Sequence, residues 1–148
     1  NFMNSVLPLP HPVDYPVSAL AGKSIMVIDD DQAMLLAVSK VLGRGGATVQ
    51  SAGNAAEATK IISDSASTFD AVLTDLRMPV MSGKFFLSMI RSTHPEIPVL
   101  IMSAYWTPEI KAECDQLGVT QCLDKPLNSM HLLGAVARAL LQPPTQNE

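Results

Sequence analysis

The stretch AVLTDLRMP, residues 71–79, joins an apolar run to a carboxylate and then to a proline-containing turn. Residues 71–74 are typical of a strand that is covered on both faces, as in a parallel sheet. Asp75 follows this run directly. In an open parallel α/β sheet, ligands bind outside the carboxyl ends of the strands. Asp75 is therefore the first candidate functional residue.

Three further segments end in the same way, with a polar side chain just past a strand-like run. These polar residues are Asp29, Asp30, Ser103 and Lys125. Because the carboxyl ends of parallel strands meet at one edge of a sheet, we expect these side chains to converge with Asp75. The sequence thus predicts one site that is assembled from four separate places in the chain.

Apolar and alternating patterns predict five strands in alternation with five helices. The strands are predicted at 24–28, 47–51, 70–74, 98–102 and 119–123, and the helices at 31–43, 54–65, 83–93, 107–117 and 128–141. The second and fifth strands alternate, as edge strands do, whereas the runs 25–28, 71–73 and 99–102 in the other three are apolar throughout. With right-handed crossovers, this predicts an α/β fold: a doubly wound five-stranded parallel sheet of order 2-1-3-4-5, in a flavodoxin-like three-layer sandwich.

The two ends of the chain differ in composition from its middle. Residues 1–20 hold four closely spaced prolines and are predicted to be a proline-rich linker or leader. Residues 21–142 are predicted to form the globular domain, and 143–148 a flexible tail. No output domain is recognisable within this sequence. We expect a stand-alone domain, a piece of a longer regulator, or one end of a hybrid kinase.

Charge and hydropathy exclude several classes of partner. The net charge of −4 argues against direct nucleic-acid binding, which requires a basic face. No apolar run approaches the ~20 residues of a membrane helix, and the N-terminus lacks the pattern of a signal peptide. Cys114 and Cys122 provide no disulfide framework. A cytoplasmic location without membrane contact is expected.

Three carboxylates in one crevice repel each other unless a cation lies among them. An all-oxygen set of ligands, without His or Cys, indicates a hard ion, Mg²⁺ or Mn²⁺. One carboxylate is then available as a nucleophile toward phosphorus, forming an acyl phosphate. A lysine ammonium and a serine hydroxyl can bind the remaining phosphoryl oxygens.

Taken together and in this order, the motifs resemble the receiver domain of two-component response regulators, the CheY-like superfamily. The matching motifs are Asp29-Asp30, Asp75 with Met78-Pro79 and Gly83, Ser103-Ala104, and Lys125-Pro126. The resemblance covers about residues 24–141 of the chain. It implies that Asp75 is a phosphoacceptor, which takes a phosphoryl group from a histidine kinase or a histidine phosphotransfer protein.

The resemblance also implies a role for each neighbouring residue. Asp30 would bind Mg²⁺ directly and Asp29 directly or through water, while Asp75 and the backbone carbonyl of Arg77 would complete the protein's ligands. Ser103 would bond a phosphoryl oxygen and shift inward on phosphorylation. Lys125 would pair with the phosphoryl group. The family further implies a cis Lys125–Pro126 peptide and a turn served by Gly83.

One position departs from the family's pattern. Cys122 stands where the family often has a Tyr or Phe that rotates as a switch. Tyr105 and Trp106, just after Ser103, offer a different aromatic readout. Trp106 is expected either to pack within the domain or to contact a partner, and the weak amphipathic pattern of the helix that follows favours contact. We therefore predict a switch surface formed by Ser103, Tyr105, Trp106 and Cys122. In the family, the positions of Arg77 and Tyr105 tune the lifetime of the phosphoryl group.

The resemblance implies a signalling domain with self-catalysed phosphotransfer and autodephosphorylation, not a turnover enzyme. Two alternatives stay open. The first is a receiver-like binding module that works without phosphate. Cys122, which stands in place of the family's aromatic residue, leaves this alternative open. The second is a phosphatase of the haloacid dehalogenase type, because Asp29 and Asp31 form an Asp-x-Asp motif. A monomer or weak homodimer is expected, with any output domain outside this chain.

Overall fold

The computed structural model describes residues 19–64, 69–78 and 81–141. Five strands and five helices alternate along them: β1 (Ser24–Ile28), α1 (Gln32–Arg44), β2 (Thr48–Ala52), α2 (Ala55–Asp64), β3 (Ala71–Asp75), α3 (Gly83–Thr93), β4 (Val99–Ser103), α4 (Pro108–Gln116), β5 (Gln121–Asp124) and α5 (Ser129–Leu141). Each predicted element is present, with ends within two residues of those predicted. Among the described residues, no helix has both the length and the apolar character that crossing a membrane requires.

All strand pairs are parallel, and their order is β2-β1-β3-β4-β5. The predicted fold class is confirmed. The chain reverses its direction of winding between β1 and β3, so the crevice between their carboxyl ends is the switch point of the sheet. In the register of β3 and β4, Asp75 lies opposite Met102. Ser103 therefore projects one residue further along the same edge.

The interiors of the central strands are apolar because each face of the sheet carries its own core. On β1, Met26 and Ile28 contribute to the cluster beneath α2, α3 and α4. Ile25 and Val27 contribute to the opposite cluster, beneath α1 and α5. Strands covered on both sides have no solvent face on which to place polar residues. The polar residues of β1 and β3 are consequently confined to the strand ends.

A side chain caps the N-terminal end of each of the five helices, and three of these caps lie at positions predicted from the sequence. The Asp31 carboxylate accepts hydrogen bonds from two backbone N–H groups in the first turn of α1. Asn54 Oδ1 accepts from the Glu57 N–H at 2.8 Å, and the Glu57 carboxylate accepts in return from the Gly53 N–H at 2.6 Å. Asn128 caps α5 in the same manner. These caps confirm the helix starts predicted from the sequence.

Gly83 begins α3 at a point of very close backbone approach. A Cβ atom there would collide with the Asp75 carbonyl oxygen and lie 2.9 Å from the Cα of Leu76. The Gly83 N–H also donates to the Leu76 carbonyl at 2.8 Å. Absence of a side chain thus lets α3 start directly against the end of β3, as the resemblance implied for this glycine.

The packed unit begins earlier than the predicted boundary at residue 21. Leu20 was assigned to the leader, yet its side chain is 0% exposed and belongs to the core beneath α1 and α5. Its N–H donates to the Gly45 carbonyl at 2.9 Å. Leu20 fills space that Gly45, lacking a side chain, leaves open. Residues 1–18 of the predicted leader and the tail at 143–148 lie outside the described residues, so the predicted domain boundaries stay a prediction.

Candidate functional site

Three carboxylates meet at the crevice between β1 and β3. Asp29 and Asp30 follow β1, and Asp75 ends β3. One carboxylate oxygen of each lies within 4.8 Å of the others. Asp29 is 1% exposed and Asp75 is 7% exposed, whereas Asp30 is open to solvent. The site is therefore a buried acidic pair with a third carboxylate at its rim.

Lys125 lies between the two buried carboxylates. Its Nζ is 2.9 Å from Asp29 Oδ2 and 2.9 Å from Asp75 Oδ1. The lysine follows β5 directly after Asp124, and the Lys125–Pro126 peptide is cis, as the resemblance implied. The other oxygen of Asp29 accepts the Asp31 N–H at 3.0 Å. One ammonium thus balances part of the negative charge in this crevice.

The environment acts differently on the two partners of this ion pair. Burial raises the pKa of Asp75, against the lowering effect of its hydrogen bond from Lys125, and the charge of Asp29 raises it further. Burial alone would lower the pKa of Lys125, but its hydrogen bonds with Asp75 and Asp29 outweigh burial and the net pKa is raised. The lysine stays charged, and the Asp75 carboxylate is poorly solvated. A poorly solvated carboxylate is a better nucleophile toward an incoming electrophile.

The carboxylate cluster fits a divalent cation. Three carboxylates carry more negative charge than the single Lys125 ammonium offsets. Only oxygen ligands are offered, which suits a hard ion. Since Asp30 reaches solvent, a partly hydrated ion can enter without displacing the core. The acidic cluster can therefore hold a divalent metal ion.

Ser103 occupies the same edge of the sheet, at the end of β4. Its side chain is 3% exposed, and its Oγ accepts the Tyr105 N–H at 3.0 Å. Its backbone carbonyl accepts the Lys125 N–H at 2.8 Å. The hydroxyl and the lysine are thereby held on adjacent strands. Of the predicted site residues, the structure clusters the carboxylates of Asp29, Asp30 and Asp75. It pairs Lys125 with two of them, and Ser103 lies on the neighbouring strand.

Arg77 and Tyr105 meet at the surface of the site. The Arg77 guanidinium carbon lies 5.3 Å from the centroid of the Tyr105 ring, a cation–π arrangement. Tyr105 is 66% exposed. The sequence singled out both residues but carried no signal for their contact, which joins the loop after β3 to the loop after β4. The role of the Arg77 carbonyl as a metal ligand stays a prediction.

Trp106 packs within the domain. Its indole N–H donates to the Leu123 carbonyl at 2.9 Å. Its ring is partly buried against the core beneath α2, α3 and α4, as is Cys122 on β5. The polar tip that was expected to meet a partner is thus engaged internally. Sequence reasoning missed this bond, which spans 17 residues and follows no periodicity.

The Asp-x-Asp motif formed by Asp29 and Asp31 does not form a second site. The side chain of Asp31 is exposed and caps α1, where Oδ1 accepts N–H groups at 2.9 Å and 3.2 Å. It is not among the clustered carboxylates in the described part of the chain. The geometry therefore assigns Asp31 to the helix start, as predicted, and argues against the dehalogenase-type alternative.

Relatives of known type share both sequence and fold with this chain. It is 34% identical to the DNA-binding transcriptional regulator NtrC of Rhizobium meliloti over 124 residues, 84% of this chain and 25% of that protein. It is also 34% identical to the response regulator protein FleR of Pseudomonas aeruginosa over 125 residues, 84% of this chain and 26% of that protein. The chain thus spans about a quarter of the length of these relatives.

Solved structures match over nearly the whole described domain. A response regulator receiver domain protein from Clostridium thermocellum superposes with a TM-score of 0.77 at 27% identity, over 80% of this chain and 94% of that one. The chemotaxis protein CheY4 of Vibrio cholerae superposes with a TM-score of 0.75 at 30% identity, over 80% of this chain and 99% of that one. A family model described as "Response regulator receiver domain" matches residues 25–137. The chain therefore belongs to the response regulator receiver domain family of two-component systems.

Proposed function

We propose that this domain accepts a phosphoryl group on Asp75 from a histidine kinase or a histidine phosphotransfer protein, and that the modification switches a protein-interaction surface. One observation carries the proposal: the Asp75 carboxylate lies at the switch point of the sheet, 2.9 Å from the Lys125 ammonium and clustered with two further carboxylates. No histidine or cysteine belongs to that cluster within the described chain. The set suits phosphoryl transfer to a carboxylate.

In the proposed step, an Asp75 carboxylate oxygen attacks phosphorus of a phosphohistidine. The new O–P bond forms as the N–P bond breaks, and the electron pair of that bond returns to the imidazole nitrogen of the donor. The product is an acyl phosphate on Asp75 and a free histidine. The released imidazole nitrogen takes up one proton from solvent, so atoms and charge balance without any oxidant.

Lys125 and Ser103 hold the transferred group. The Lys125 ammonium, now paired with Asp29 and Asp75, would turn to a phosphoryl oxygen and stabilise charge that develops there. The Ser103 hydroxyl would donate to another phosphoryl oxygen in place of its present contact with the Tyr105 N–H. Both groups lie on strands that are hydrogen bonded to each other, so they can respond together.

Asp29, Asp30, Asp75 and the backbone carbonyl of Arg77 would hold Mg²⁺ or Mn²⁺. When bound, the ion screens the repulsion between carboxylate and phosphoryl oxygens and holds them in line. The chain's own contribution is to gather the acidic groups and to leave one of them, Asp30, accessible.

The proposed domain signals and does not turn over a substrate. Attack of water on the acyl phosphate would remove the phosphoryl group and restore the Asp75 carboxylate. The modification would therefore be transient. Longer relatives such as the regulator NtrC, of which this chain spans 25%, suggest an output region or partner protein beyond these residues. With a net charge of −4, the domain is proposed to act through protein contacts as a monomer or weak homodimer.

Intact mass after incubation with acetyl phosphate and Mg²⁺ tests the proposal. Wild type is expected to gain one phosphoryl group, and Asp75→Asn to gain none. Omitting Mg²⁺ or adding a chelator should abolish the gain. Asp70→Asn is the matched control: Asp70 flanks the other end of β3 and accepts the Ser24 N–H at 2.8 Å, so that variant should still be phosphorylated. Phosphorylation that persists in Asp75→Asn would refute the assignment.

A phosphate-independent binding module is the second candidate. It is favoured only by Cys122, which replaces the aromatic residue that the family often has at this position. A partner that binds wild type and Asp75→Asn equally, with and without acetyl phosphate, would support this candidate over phosphorylation.

A further inference from the structure

A cavity of about 490 Å³ lies between the loop after β3 and the helices α3 and α4. Leu76 and Met78 on the loop and Ile110 on α4 form most of its wall, which is mainly apolar. Small-molecule sites in proteins commonly have volumes of roughly 300–1,000 Å³ and mostly apolar walls. The cavity meets the carboxylate cluster only at Asp30, so it is a separate candidate site for a ligand.

The composition of α4 explains why this space is not filled by side chains. In the helix sequence PEIKAECDQ, only Cys114 is buried. Ile110 is its single large aliphatic residue; it packs against the core beneath α2, α3 and α4 but stays partly exposed. On the opposite wall, Leu76 and Met78 belong to the same core. An apolar ligand body in the cavity would cover the remaining surface of Ile110 and release water from both walls.

The charges that border the cavity favour an anionic ligand. Arg77 and Lys84 carry two positive charges there, against the one negative charge of Asp30. Lys84 Nζ is 2.9 Å from Glu113 Oε1, but the pair is solvent-exposed and an ammonium has three donors, so the lysine can bond a ligand as well. The Arg77 guanidinium stacks on the Tyr105 ring, and stacking is compatible with hydrogen bonds from its N–H groups to an anion.

We propose that this cavity binds a small amphipathic anion, a carboxylate or sulfonate joined to an aromatic or short aliphatic body. The anionic group would bond Lys84 and Arg77, and the apolar body would lie against Ile110. A sugar or another neutral polar ligand would leave hydroxyl groups without partners against the apolar wall, and an inorganic anion would leave that wall uncovered. The inference goes beyond the proposed function and does not depend on phosphorylation of Asp75.

The probe for this site is 1-anilinonaphthalene-8-sulfonate, which joins an aromatic body to a sulfonate and fluoresces when it leaves water. With chelator present, the wild-type chain is expected to bind one molecule saturably, with a Kd on the order of 10–100 µM. Amide spectra recorded during the titration should shift at Leu76, Ser82 and Ile110. Lack of saturable binding up to about 1 mM, or shifts confined to other faces of the domain, would overturn the proposal.

Lys84→Met tests the anionic half of the site, because it keeps the aliphatic stem and removes the charge. Affinity for the sulfonate should fall about fivefold. N-phenyl-1-naphthylamine has the same rings without the sulfonate and should bind wild type and variant equally. Lys111→Met is the matched control, since Lys111 is an exposed lysine of α4 that does not line the cavity. Equal losses of sulfonate affinity in the two lysine variants would reduce the effect to net charge and overturn the assigned site.

Ile110→Asp tests the apolar half of the site. A carboxylate on this wall should weaken binding of both probes about tenfold or more. Leu36→Asp is the matched control: it makes the same kind of change at an exposed position on α1, and should bind both probes as wild type does. Circular dichroism checks that each variant is folded, and the Lys84 comparison does not depend on this variant. Wild-type affinity in folded Ile110→Asp would refute the site.

Discussion

The acceptor end of the sheet and its switch edge are built on strands of opposite character. The acceptor end comprises Asp29, Asp30 and Asp75, on β1 and β3, which are paired on both sides and almost wholly buried. The switch edge comprises the loop 103–106 and β5, which is paired on one side and partly exposed along its length. Groups that react need fixed positions, whereas a surface that changes must be weakly held. Under the proposed function, the two tasks would be divided between the centre of the sheet and its margin.

Gly83→Ala tests how rigid the acceptor end is. A Cβ there would meet the backbone of Asp75 and Leu76, which cannot rotate away, so we expect the free energy of unfolding to fall by about 3 kcal/mol. Urea denaturation followed by circular dichroism gives the value. Gly43→Ala is the matched control: it lies within α1 with nothing near its Cβ position, and should raise stability by about 0.5–1 kcal/mol. Equal stability of Gly83→Ala and wild type would show that the start of α3 can shift away from β3 at little energetic cost.

Lys125→Met tests the ion pairs at the acceptor end. Removing the ammonium leaves Asp29 and Asp75 buried without a cation, so the metal-free domain should lose about 2 kcal/mol of stability. Lys84→Met is the control, because the Lys84–Glu113 pair is solvent-exposed and should cost less than about 1 kcal/mol. Both are measured by urea denaturation in chelator. Similar losses in the two variants would contradict a special role for the buried pair.

Magnesium should then act more strongly on the lysine variant than on wild type. With the ammonium gone, a bound cation becomes the only balance for the clustered carboxylates, so Mg²⁺ should raise the melting temperature of Lys125→Met more than that of wild type. Thermal melts over a Mg²⁺ titration, with Asp30→Asn as the variant that lacks a rim carboxylate, provide the measurement. A smaller rise in melting temperature with Mg²⁺ in Lys125→Met than in wild type would contradict a cation site among these carboxylates.

Tyr105→Leu tests how weakly the switch edge is held. Its contact with Arg77 is exposed, and we expect the loss of only about 0.5 kcal/mol of stability. A double-mutant cycle with Arg77→Gln isolates the contribution of the pair. A coupling energy of 2 kcal/mol or more would be inconsistent with a loosely held edge.

The smallest expected effect concerns the chemical reactivity of the Cys122 thiol. Burial, with further contributions from Cys114 and Asp115, raises the pKa of the Cys122 thiol to about 11. The thiol therefore stays protonated below that pH, and at pH 8 only about a thousandth of it is thiolate. Alkylation by iodoacetamide, followed by mass spectrometry, should be slow at pH 8 and accelerate about tenfold per pH unit. Rapid labelling of the folded domain at pH 8 would show that β5 opens readily.

Local patterns were sufficient to predict the elements and the acidic centre. The apolar runs before Asp29 and Asp75 identify strands covered on both faces, and parallel strands bring their carboxyl ends to one edge. The alternating segments that became β2 and β5 were assigned correctly to the margins of the sheet. The caps at Asp31, Asn54 and Asn128 depend on residues three or four apart, so they could also be read locally.

Such local patterns do not predict contacts between residues that are far apart in the chain. Trp106 was expected to meet a partner because α4 is weakly amphipathic, yet its indole bonds Leu123. Leu20 was assigned to the leader because residues 1–20 hold four closely spaced prolines, yet it lies in the core beside Gly45. Arg91, to which no role was given, donates from Nε to the Gly118 carbonyl at 3.0 Å and ties α3 to the turn after α4.

The order of the elements and the edge of the sheet that carries the acidic cluster could be predicted from the amino-acid sequence. These properties follow from side-chain periodicity and chain direction, which act over a few residues. The bridge from Lys125 to Asp29 and Asp75, the contact of Arg77 with Tyr105 and the bond from Trp106 to β5 became visible only in the folded chain. Those contacts join residues that are far apart in the sequence, so they depend on how helices and loops pack on the twisted sheet.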